Sequence, residues 1–93
     1  MKEKILLVLE RASLQEDKQK EYLLNTVSVL LEESSRYMEH KRFGAEFDKS
    51  LIEKNLEIIN EFCKNENIPT LGKKRAEDFA LEVTKDYFSK RKR

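Results

Sequence analysis

Tryptophan is absent from this sequence, glycine occurs twice, and cysteine, proline and histidine occur once each. A single cysteine excludes an internal disulfide and a thiolate-rich metal centre. Two glycines and one proline are too few for a β-sandwich, whose strands turn about every 8–12 residues. The glycines, Gly44 and Gly72, stand far apart, so there is no glycine-rich loop to cradle a phosphate. No apolar run approaches the ~18 residues that span a bilayer. The early run over residues 5–9 is too short for the core of a signal peptide. A cytoplasmic protein is the expectation. Excess charge of either sign is lacking as well, with 19 Lys and Arg against 18 Asp and Glu. Disorder normally combines low hydrophobicity with a large net charge, and here the net charge is +1.

What is present is helical periodicity. Over 93 residues there is room for one domain, 1–93, with one core. Ile5, Val8, Leu9 and Ala12 share one face of a short first helix. Ser13 and Glu16 stand at capping-box spacing. Residues 15–21 contain nothing apolar. A break near Ser13 is therefore expected, with one long bent helix over residues 1–42 as the alternative. Leu23, Val27, Leu30, Ser34 and Tyr37 then step by four and three, and Leu24, Leu31 and Met38 widen that stripe. This predicts a long helix over about residues 14–42, closed by Gly44. Ser50 and Glu53 repeat the capping-box spacing, with Asp48 as a rival cap. Ile52, Leu56, Ile59, Phe62 and Cys63 mark a third helix, broken around Pro69. Ala76, Phe79, Ala80, Val83 and Tyr87 mark a fourth, expected from near Thr70 to Ser89. The fold class is all-α: a small antiparallel bundle of three to four helices with one long central helix. Leu30, Leu31, Ile59, Phe79 and Val83 are the expected core.

The chemistry-bearing residues are sparse. His40 has no second histidine or cysteine one turn away, so a zinc or di-iron centre lacks its ligands. Cys63 lies on an apolar face beside Phe62, the setting of a structural thiol. Nothing local orients a Cys63–His40 pair for nucleophilic work. The expectation is no enzyme and no cofactor. Two charge patterns remain. Glu53, Glu57 and Glu61 repeat at i, i+4, which is either a solvated acidic face or a surface for a basic partner. Residues 71–93 hold eight bases and four acids, whereas residues 1–70 hold 11 bases and 14 acids. The bases cluster as Lys73, Lys74 and Arg75 and as Lys90, Arg91, Lys92 and Arg93. Cations suit a helix C-terminus but not a helix start. The cluster at Lys73 is therefore a candidate macromolecule-binding element, together with the later one.

These patterns lead to a non-enzymatic regulatory, immunity or inhibitor-type protein that binds another protein. Small helical proteins of bacteria and their mobile elements often play such parts, an analogy at the level of fold. The alternative is a nucleic-acid-binding regulator, with helices three and four forming a helix-turn-helix-like pair across a turn of about six residues. Near-neutral net charge weighs against it. Phe79, Val83, Tyr87 and Phe88 on the last helix are explained by core packing, so a membrane partner is not expected. The double width of the stripe over residues 14–42 offers a homodimer seam.

Overall fold

The computed structural model describes residues 1–44, 46–72 and 75–85. Four helices carry them: α1 (Lys2–Ala12), α2 (Asp17–Arg42), α3 (Ser50–Asn65) and α4 (Ala76–Val83). No strand occurs among the described residues. At ~1.5 Å per residue, α2 is about 39 Å long. The longest extent of the molecule is 41 Å, so this helix is the spine of the bundle. It packs against α1, α3 and α4.

The chain does break after the first helix, and α2 begins at Asp17 rather than near Leu14. The expected capping box is not formed. The Ser13 hydroxyl donates backwards to the Glu10 carbonyl at 2.6 Å, and Ser13 closes α1 in a helical conformation instead of opening α2. Glu16 takes the N-cap position in an extended conformation, with no side-chain cap bond. Leu23, Val27, Leu30 and Ser34 are buried as the stripe predicts, and Thr26 joins them. Leu31 is only half-buried, because the widening row lies at the edge of the contact with the other helices. At its far end α2 stops on Gly44, whose φ of +72° is the left-handed conformation that glycine adopts without a Cβ clash.

Neither rival cap takes the N-cap position of α3, which falls to Lys49 with no side-chain cap bond; Asp48 instead braces the turn just before it. The Asp48 Oδ1 accepts the Ser50 N–H at 3.0 Å. That bond holds the Asp48 carboxyl below its ordinary range. Phe47 anchors the same loop, its ring 5.7 Å from Tyr37 and 5.0 Å from His40. The buried face of α3 comprises Ile52, Asn55, Leu56, Ile59, Phe62 and Cys63.

The end of α3 is a Schellman motif built on asparagine instead of glycine. Asn67 has φ +59°, the Ile68 N–H reaches back to the Cys63 carbonyl at 3.0 Å, and the Asn67 N–H bonds the Lys64 carbonyl at 3.2 Å. Pro69 follows. The chain then remains non-helical through Gly72, so the last helix starts at Ala76 and not near Thr70. Residues 66–72 return along α3 as a strap. The Leu71 N–H donates to Asn60 Oδ1 at 2.8 Å, and Ile68 and Leu71 sink into the core at 7% and 2% exposure. At the strap's end the first turn of α4 meets the start of α3, where Lys49 Nζ donates to Glu77 Oε2 at 2.6 Å. Ala76, Phe79, Ala80 and Val83 are all fully buried. The expected end of this helix at Ser89 and the packing of Tyr87 lie outside the described residues.

Candidate functional site

Of the predicted macromolecule-binding residues, Arg75 is described; Lys73, Lys74, Lys90, Arg91, Lys92 and Arg93 lie outside the described residues. Arg75 is the N-cap residue of α4, with its side chain 73% exposed and its Nε 3.9 Å from Glu77 Oε1. The other oxygen of Glu77 takes the Lys49 ammonium. The Lys49 hydrogen bond is the main reason the Glu77 carboxyl is held below its ordinary range, and the same bond raises Lys49. Arg75 is thus a cation partly neutralised by its own helix. The connection from α3 to α4 spans residues 66–75, ten in all instead of about six. A helix-turn-helix joins its helices through about three or four residues. The tight pair expected from the sequence is therefore replaced by a strapped one.

His40 and Cys63 are separated by the fold. His40 stands by the loop that leads into α3, and Cys63 near the far end of that helix, some 13 residues or on the order of 20 Å away. The His40 Nδ1 lies 2.9 Å from the Arg36 carbonyl, which can only accept, so Nδ1 carries the hydrogen. Cys63 is fully buried, and burial pushes its thiol pKa up, away from the reactive thiolate. Among the described residues no group of three or more His, Cys, Asp and Glu is placed to hold a metal ion. None of their helices is long and apolar enough to cross a membrane.

The acidic ladder has the most distinctive surroundings. Glu53, Glu57 and Glu61 are all exposed on α3. Glu57 and Glu61 form a ridge between two grooves. On one side, a groove of about 650 Å³ runs between α3 and the strap, past Leu56, Asn60 and Thr70. On the other, a groove of about 530 Å³ runs between α3 and the first half of α2. The floor of the second groove is Leu23 and Phe62, with Tyr22 and Ile58 on its walls. Tyr22 is 51% exposed and Ile58 half-buried, so apolar surface is open to solvent there. Neither Glu57 nor Glu61 has a cation within 4.0 Å among the described residues.

The periodicity of the sequence pointed to the ladder but not to Tyr22 or Ile58, which stand one position off the buried stripes. Their signal was that offset itself, an apolar residue beside a stripe it does not join. Of the double-width stripe on α2 expected to offer a homodimer seam, the main row is occupied within the chain, with Leu23 and Leu30 each 1% exposed, whereas Leu24 of the second row is 36% exposed.

The chain matches no protein-family model, and no curated protein or solved structure is similar enough to it to count as a relative.

Proposed function

We propose that this chain is a small non-enzymatic regulator of the immunity or inhibitor type, acting in the cytoplasm by binding another protein through the groove between α2 and α3. One observation carries the reading. An open apolar groove with an exposed tyrosine on its wall lies beside two glutamates that have no cationic partner among the described residues. Interfaces between proteins join these features: an apolar centre, aromatic anchors and a polar rim. Like charges at i, i+4 slightly destabilise an isolated helix, so the ladder gains nothing for folding by itself.

The test places a photo-crosslinking benzoylphenylalanine at position 22, at position 58, or at the exposed position 81 on α4, in cells that make the protein. A discrete protein adduct from positions 22 and 58, and none from 81, is the expected result. Absence of any protein adduct at the groove defeats the reading. The nucleic-acid alternative has its own outcome. Retention on duplex DNA near ~50 mM salt, weakening steeply with added salt and abolished by changing Lys73, Lys74 and Arg75 to glutamine, would put that reading first.

A further inference from the structure

We infer that the occupant of the α2–α3 groove is a basic amphipathic helix of the partner protein. This rests on the groove being the binding surface and adds the chemistry of what it binds. The groove follows α3 from Lys54 to Asn65, eleven steps or about 16 Å at ~1.5 Å per residue, a length of three helical turns. An amphipathic helix lays its i, i+3, i+4 and i+7 apolar residues into such a trough. Leu23 and Phe62 supply the apolar floor, and Ile58 and the half-exposed Tyr22 its walls.

The rim sets the charge of the occupant. Glu57 and Glu61 stand one turn apart, about 6 Å along the axis, so lysines or arginines at i and i+4 of the partner meet them in register. A carboxylate at those positions of the partner is rejected, because two like charges would be desolvated together. Lys54 lies at one end of the same groove and gives it a polarity. The partner's cations face the Glu57–Glu61 end, and its turn beside Lys54 is apolar or acidic. An extended nucleic-acid backbone is the opposite of what this rim selects.

The probe is a fluorescein-labelled leucine–lysine peptide of about 14 residues, with leucines on one helical face and flanking lysines at i, i+4. Three peptides serve as references: one with glutamate for every lysine, one of the same composition scrambled off the helical period, and one unlabelled competitor. Fluorescence anisotropy on the full chain should show saturable binding of the amphipathic basic peptide. The double variant Glu57→Gln with Glu61→Gln should bind it roughly tenfold or more weakly. Tyr22→Ala should weaken it as well. All three residues are exposed, and the thermal transition of each variant reports that it is folded. Reversal to Glu57→Lys with Glu61→Lys should exchange the preference and take up the glutamate peptide. The inference fails if the basic peptide does not saturate, if the scrambled peptide binds equally well, or if the Glu→Gln pair changes nothing. A protein adduct at position 22 alongside any of those failures leaves the groove as the binding surface and removes only its basic helical occupant. No adduct at all removes both.

Discussion

Ser34 sits in the middle of the longest helix with its side chain fully buried, and its hydroxyl has no hydrogen-bond partner. A buried donor left unsatisfied is destabilising by roughly 1–3 kcal/mol. Ser34→Ala removes that hydroxyl without opening a large cavity. The expected outcome is a gain of about 1 kcal/mol, seen as a rise of roughly 4–8 °C in the melting temperature. A lower melting temperature would mean that the hydroxyl is satisfied after all. The same helix shows what residue spacing can and cannot reveal. Leu30 is fully buried on its stripe, as are Ile59, Phe79 and Val83 on theirs. Leu31, one position round, is half-buried, because a stripe two residues wide is broader than the neighbouring helices cover. Ile68 and Leu71 are buried and belong to no helix at all. Periodicity is blind to such residues, since a strap has no repeat to betray which of its side chains point inward.

At the level of elements, the helix ends were the least legible part of the chain. Ser13 and Glu16 have the spacing of a cap, but the hydroxyl went to Glu10, a choice between two nearby carbonyl and N–H groups that spacing does not decide. The stop at Asn67 was readable only as a break. Its left-handed backbone makes a sharper expectation. Asn67→Ala places a Cβ-bearing residue without a helpful side chain at φ +59° and should lose about 1–2 kcal/mol in urea unfolding, whereas Asn67→Gly should lose nothing. Equal behaviour of the two variants would remove the Schellman account. The bond joining α3 to α4 carries a pH signature. Glu77 is held below the ordinary carboxylate value, so its contribution is present above the unfolded value and is lost as the pH falls through the folded one. Lys49 is raised, so its contribution is present below the unfolded lysine value and is lost as the pH rises through the folded one. The pair is intact across the neutral range. Lys49→Met should therefore be less stable than the parent at pH 7, and the difference should shrink in acid as Glu77 takes up its proton. A difference that stays constant down to pH 3 would show that Lys49 acts through packing alone.

For the molecule as a whole, the spine and its partners followed from the sequence, but the route between α3 and α4 did not. A turn of about six residues suggested two helices lying side by side at once, whereas residues 66–72 first run back along α3. The order of folding events follows from that detour. The α1–α2 and α2–α3 hairpins join neighbours along the chain, so little loop-closure entropy opposes them. The eight residues of α4 meet α2 only across a long stretch of sequence. The expectation is that they undock as a unit while the three-helix remainder keeps its backbone bonds. Native-state hydrogen exchange should find the amides of residues 80–83 opening at a lower free energy than those of residues 27–34, with a smaller denaturant dependence. If both sets exchange only by global unfolding, the strap has fused four helices into one cooperative unit. The expected alternative is a molecule with an early-forming three-helix platform, and a last helix that latches onto it.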